Sequence, residues 1–281
     1  YPYFASAGLW QAAAVLRQAG HEVTLLDAFC LPTSGLLPEA DSMVRLGVPV
    51  TALLSRLPAA APDAVVIANS PWLRARSAAA ELLRLVTDLR RRWPQTPSVL
   101  ADCDIGGMHF IEWDVEDLDE VGIEWGQKYE AETALPALLQ TLVRGQNPEQ
   151  RITVGVPLAG DLDDLPQPAW DLVDMAAFQR FMGRVAGMNH KHEIFSCAPP
   201  LMPFKTSRGC VYRCNFCTSN PWARAGVEGK AYRKLSAAGM QAQLRHLRDA
   251  YGVQRVVILD ALVNVDPEHL RGRHIHRAVE V

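Results

Sequence analysis

The sequence predicts an α/β protein in two parts. Residues 1–145 read as a flavodoxin-like (Rossmann-type) doubly wound domain and residues 146–200 as a linker. Residues 201–281 read as the opening strand–helix units of a second α/β domain. Two observations predict this. Strand-length apolar runs alternate with helix-period stretches through residue 143, and the same alternation resumes after residue 201, the signature of parallel sheets covered by helices.

The elements follow in order. Residues 9–19, LWQAAAVLRQA, carry apolar side chains at helical spacing, and Gly20 stands where a helix stops. Residues 21–28, HEVTLLDA, read as a buried strand, and a short helix is expected near 43–57. A strand at 64–68, a helix at 76–93 and a strand at 98–101 come next. A weaker strand at 120–124 and a helix at 132–143 close the first part. The stretch 144–200 holds Pro157, Pro166, Pro168, Pro199 and Pro200 and little periodicity, apart from a short helix near 170–181. Beyond it, 202–207 and 255–260 read as strands and 237–250 as a helix stopped by Gly252, with a further helix from Pro267. A flavodoxin-like sheet places its first strand centrally. Here the opening helix has no strand before it, so the record is expected to be incomplete at its start.

Composition excludes several classes. Hydrophobic residues make up 49% and charged residues 21%, enough apolar surface for a true core, which sets aside disorder. Lys plus Arg number 28 against 31 Asp plus Glu, so a net charge of −3 leaves no global footprint for nucleic acid or an acidic membrane. No apolar run reaches membrane-spanning length and no charged-then-apolar leader opens the chain, so the expectation is a soluble, cytoplasmic protein. Arg90, Arg91 and Arg92 read as a solvated helix end, and Trp170 and Phe181 as packing residues.

Of six cysteines, three are clustered as Cys210-Val-Tyr-Arg-Cys214-Asn-Phe-Cys217, while Cys30, Cys103 and Cys197 are scattered. A C-x3-C-x2-C run lets three thiolates face one iron–sulfur cube from a single tight loop, leaving one iron open to an outside donor. Gly209 permits a tight backbone approach, and Arg208 offers a cation to offset a negative cluster. Phe216 offers an aromatic face beside the last cysteine. Two plainer readings stand beside this one: a structural zinc site completed by Cys197 or His192, and three unrelated buried cysteines.

The segment Thr206-Ser-Arg-Gly-Cys210-Val-Tyr-Arg-Cys214-Asn-Phe-Cys217 resembles the radical S-adenosylmethionine signature, including the aromatic before the final cysteine. The preceding domain and the linker LDDLPQPAWDLVD (162–174) look like the subgroup with an N-terminal cobalamin-binding domain. Glu130-Ala131-Glu132 followed by LPALL is similar to the acidic patch that starts the last helix of that domain. The resemblance implies a cobalamin-binding domain followed by the first part of a radical S-adenosylmethionine (β/α) barrel. It implies a 4Fe–4S cluster on Cys210, Cys214 and Cys217, with S-adenosylmethionine on the open iron. It implies reductive cleavage of that cofactor and radical chemistry, with methyl transfer to an unactivated carbon as the expected outcome and cobalamin as a further cofactor. It also implies an electron donor such as flavodoxin or ferredoxin, and a small-molecule or peptide substrate.

Site expectations follow. Phe216, Asp260 and Asn264 are candidates to contact S-adenosylmethionine, the last two because a barrel places working residues after its strands. Ala261 stands where the family often has a second acid, which weakens that reading. Ser70, Asp102, Gly106, Gly107, Glu130 and Glu132 are the candidates to contact cobalamin, since a ligand of such a sheet sits beyond the carboxyl ends of the strands. No D-x-H-x-x-G run occurs and neither His21 nor His109 has that setting, which argues against a histidine lower ligand. A barrel of about six units takes roughly 200 residues by analogy with the eight-unit barrel. Residues 218–281 fall far short of that, and the expectation is an incomplete barrel. Two rival readings remain: a radical enzyme whose N-terminal sheet only docks, and an inert iron–sulfur fragment.

Overall fold

The computed structural model describes residues 3–38, 44–69, 79–103, 113–188, 200–212, 214, 217, 219, 223, 226–262 and 265. Its first part is a four-stranded parallel sheet in the order β3-β4-β5-β6, formed by β3 (Val65–Asn69), β4 (Ser98–Asp102), β5 (Trp125–Tyr129) and β6 (Ile152–Gly155). Every residue of β4 is buried, as a strand covered on both faces requires. The pleat sends Val99 and Ala101 to one face, against α1 (Tyr3–Gln18) and α5 (Ala131–Val143). It sends Leu100 to the other, against α3 (Ala79–Arg92) and α4 (Val115–Val121). This is an α/β arrangement, a parallel sheet covered by helices on both faces, as the alternation predicts.

Several boundaries differ from expectation, each for a local reason. Residues 21–27 form no strand; Val23 and Leu25 pack on the apolar clusters around α1 without a backbone ladder. The helix expected near 43–57 is instead β2 (Val44–Gly47), paired antiparallel with β1 (Gly35–Pro38), followed by the short α2 (Val50–Leu54). Pro49 disfavours helix at Val48 and so delays the helix start. The strand expected at 120–124 falls where α4 ends. Asp114 closes a capping box at the N-terminus of α4, Gly122 (φ 78°) stops it, and the strand begins only at Trp125. The fourth strand, β6, lies in the stretch read as linker. That stretch also carries 3-10 turns at Leu162–Asp164 and Trp170–Leu172, and α6 (Met175–Met188).

The second part opens with β7 (Leu201–Phe204), paired in parallel with β10 (Arg255–Ile258) across α7 (Ala237–Tyr251). Ser236 caps α7 by accepting from the Gly239 N–H, and Gly252 (φ 64°) ends it. Between β7 and α7, β8 (Ser207–Gly209) pairs antiparallel with β9 (Tyr232–Lys234). The helix expected from residue 267 lies outside the described residues. Trp10 of α1, Trp170, Phe178, Phe181, Met202 and Leu247 form one core, so α1 serves both parts: Ala12 and Leu16 face the sheet while Trp10 faces β7 and α6. Trp170 and Phe181 are packing residues, as expected. Among the described residues, no helix is long and apolar enough to cross a membrane.

Candidate functional site

The cysteine loop leaves the end of β8 and returns through β9. Gly209, with φ at 77°, turns the chain from the ladder into Cys210 in a conformation side chains disfavour. Cys210 and Cys217 are half-buried and Cys214 is exposed. The Tyr212 N–H donates to Cys210 Sγ at 3.4 Å, and the Cys217 N–H donates to the Cys214 carbonyl at 3.1 Å. Among the described residues, no three His, Cys, Asp or Glu side chains converge as ligands of a single ion. Three thiols in one tight loop, one of them already receiving a backbone N–H, are a donor set chemically suited to an iron–sulfur cube. Phe216, the remaining loop candidate, lies outside the described residues.

The stems of this loop are held from two sides. On one side, Asp260 follows β10, and its Oδ1 accepts the backbone N–H groups of Thr206 at 2.8 Å and Ser207 at 3.0 Å. Its Oδ2 accepts the Thr206 hydroxyl. Asp260, a candidate cofactor contact, thus ties the end of β10 to the start of β8; Asn264 lies outside the described residues. Asp161 adds a second tie, accepting from Lys230 Nζ at 2.8 Å and from the Lys234 N–H at 3.2 Å.

On the other side stands the acidic pair. Arg208 and Arg233 are directly opposite in the β8–β9 ladder, and both are buried. Arg208 donates to Glu130 at 3.1 Å and to Glu132 at 2.6 Å. Arg233 donates to the other oxygen of Glu130 at 2.8 Å. Burial pushes the Glu130 carboxyl up, but the two guanidinium groups outweigh it and hold the carboxyl below its usual range. Burial disfavours the charged Arg208, yet Glu132 and Glu130 more than compensate and hold its pKa above the ordinary value. Arg208, the cation expected to offset a negative cluster, is thus paired with two carboxylates of the first part.

Glu130 is aimed by unusual backbone. Tyr129, at the end of β5, is a non-glycine residue at φ 67°, where sterics cost about 1–3 kcal/mol. Its N–H donates to Asp102 Oδ2 at 3.0 Å, which anchors the strained turn. Asp102 Oδ1 also accepts from Asn69 Nδ2 at 2.8 Å and Trp113 Nε1 at 3.1 Å. The buried Asp102 thereby joins the carboxyl ends of three strand regions and is 3% exposed. Gly155 of β6 supports the same turn: a Cβ there would overlap the Glu130 carbonyl and lie 2.7 Å from its carbon.

Of the residues expected to contact cobalamin, the structure gathers Asp102, Glu130 and Glu132 at the carboxyl edge of the sheet, where all three hydrogen-bond to protein donors. Ser70, Gly106 and Gly107 lie outside the described residues. Sequence reasoning missed Arg233, Gly155 and Asp161 as parts of the loop's support. The signal available was an arginine in a three-residue strand just past the cysteines, with two acids elsewhere at i, i+2.

No family model matches the chain. It is similar to two methyl-transferring enzymes. The cytidylyl-2-hydroxyethylphosphonate methyltransferase of Streptomyces wedmorensis is 26% identical over 295 residues, covering 94% of this chain and 52% of that one. The hopanoid C-3 methylase of Methylococcus capsulatus is 24% identical over 286 residues, covering 97% of this chain and 45% of that one. The chain spans about half the length of the curated relatives it matches.

Proposed function

We propose that the chain belongs to a radical S-adenosylmethionine methyltransferase of the cobalamin-binding type, acting on an unactivated carbon of a small-molecule or peptide substrate. The observation that carries this reading is the loop of Cys210, Cys214 and Cys217 between paired stems. Similarity to two methyl-transferring enzymes along nearly the whole chain supports the reaction class.

Cys210, Cys214 and Cys217 would hold a 4Fe–4S cluster. When bound, the cluster supplies an electron that cleaves S-adenosylmethionine and so starts the radical chemistry. The chain's own residues position and enclose. Gly209 sets the entry of the loop, and the Tyr212 N–H steadies the Cys210 sulfur. Asp260 fixes the backbone at Thr206 and Ser207, immediately before the loop, and Phe216 and Asn264 are the further candidates to touch S-adenosylmethionine. An electron donor such as flavodoxin or ferredoxin completes the scheme.

For cobalamin the described residues fit poorly. Asp102, Glu130 and Glu132 are engaged by protein donors, so no cobalamin contact is assigned to them. That role would fall to Ser70, Gly106 and Gly107 and the loops around them. The same engagement favours a second reading, in which the N-terminal sheet docks against the cysteine loop without binding cobalamin.

The test is anaerobic reconstitution, with iron and sulfide counted and EPR of the reduced protein recorded with and without S-adenosylmethionine. The reading expects iron, lost in Cys210→Ala, and a spectrum that changes with S-adenosylmethionine. Zinc in place of iron would sink it. Titration with hydroxocobalamin separates the two readings: a bound corrin spectrum supports the first, and an intact cluster that binds none supports the second.

A further inference from the structure

We infer that Glu130 is a positioning residue for the cysteine loop, holding both of its stems against the carboxyl end of the N-terminal sheet. The two oxygens of one carboxylate reach opposite strands of the β8–β9 ladder, Arg208 on the strand that enters the loop and Arg233 on the strand that leaves it. Two like charges opposite each other in a ladder repel. Glu130 between them converts that repulsion into a staple, and Glu132 completes charge balance through Arg208.

Three features show that the staple is not an incidental surface pair. All four side chains are at least nine-tenths buried. Among the described residues, Arg208 Nε and Arg233 Nε and Nη1 have no hydrogen-bond partner, so the carboxylates are the compensation these buried guanidinium groups do have there. The turn that presents Glu130 is built for it, with a strained Tyr129 before it and Gly155 admitting its carbonyl. The inference concerns the protein's own geometry; only its consequence for the cluster rests on the function proposed above.

The experiment compares wild type, Glu130→Gln and Arg233→Gln, with Asp171→Asn as control because it weakens an exposed pair with Arg17 away from the loop. In the metal-free protein, amide exchange should accelerate at least ~10-fold in β8 and β9 of Glu130→Gln while β3–β5 exchange as in wild type. Arg233→Gln, the milder change, should accelerate β9 more than β8. Asp171→Asn should alter neither. In reconstituted protein, the midpoint potential of the cluster should rise in Glu130→Gln, which leaves Arg208 paired with Glu132 but strips the buried Arg233 guanidinium, opposite Arg208 in the ladder that carries the loop, of its carboxylate. It should return toward wild type in Glu130→Gln/Arg233→Gln, where charge balance is restored. Unchanged exchange in β8 and β9 would overturn the positioning role. A potential that moves equally in the single and double variants would overturn the electrostatic part. If wild type takes up no iron while Glu130→Gln still loosens both strands, the cluster reading fails and the positioning role stands.

Discussion

Replacing Gly155 by alanine tests the close approach of β6 to the Glu130 backbone. The added methyl would overlap the Glu130 carbonyl and sit 2.7 Å from its carbon and 2.9 Å from its nitrogen. Ordinary contact between such atoms needs about 3.5 Å, so one chain must retreat by more than about an ångström to clear the carbonyl oxygen. The neighbour is backbone and cannot swing aside. Either β6 withdraws from β5, where Tyr129 is in register with Gly155, or the start of α5 lifts and carries Glu130 from its arginines. Overpacking alone costs about 1–3 kcal/mol, and a weakened ladder bond adds about 1 kcal/mol. A total near 3 kcal/mol lowers Tm by about 6–12 °C for a chain of this size. The companion is Gly187→Ala on α6, where no described residue stands within 4 Å and helix propensity favours alanine by up to about 1 kcal/mol. Thermal unfolding followed by circular dichroism should therefore move the two variants in opposite directions. A Gly155→Ala protein melting within a degree of wild type would refute the close crossing of β6 and the Glu130 turn.

Three further outcomes are expected. Asp260→Ala removes the acceptor of two backbone N–H groups and one hydroxyl and should cost about 3–5 kcal/mol in urea unfolding, with Asp260→Asn keeping more than half of the loss at bay; equal losses would count against the bonds to Thr206 and Ser207. Trp10→Phe keeps the edge contact with Phe178 but deprives the buried Asp27 carboxyl of the indole N–H. A loss of about 1–3 kcal/mol is expected, and an unchanged urea midpoint would show that the bond contributes nothing. The third concerns acid. Because the folded Glu130 carboxyl lies below its unfolded value of about 4.3, its contribution is complete above that pH and drains away as pH falls through the folded value. Glu130→Gln should flatten that acid limb of the stability curve relative to wild type, and parallel curves would argue against a paired carboxylate.

What was legible in the sequence follows from what periodicity reports. Residues 98–101 and 132–143 announced β4 and α5 because a fully buried strand and an amphipathic helix leave strong local patterns. The run at 21–28 is equally apolar, yet an apolar run reports burial and not backbone pairing; Val23 and Leu25 are packed without a ladder. β5 was displaced because its Gly126 and Gln127 lack the β-branched signature, while the stop at Gly122 was visible only as a turn signal. At the site, the cysteines and the acids Glu130 and Glu132 stood out, but their relation did not. Arg208 lies 78 positions from Glu130 and Arg233 lies 103, and no local pattern encodes a contact at that separation.

The first helix offers a last consequence. Trp10 is fully enclosed by Phe178 and the second part's core, whereas Ala12 and Leu16 of the same helix belong to the sheet. One rigid rod is thus the foundation of two hydrophobic interiors. A polypeptide cut between residues 146 and 174 and expressed as halves would leave the Trp10 side of the first half bare and the interior of the second without its wall. The shared helix predicts that the two parts unfold as one cooperative unit, so calorimetry of the uncut chain should give a single endotherm. Shuffling the second part onto another doubly wound sheet would succeed only if α1 travelled with it.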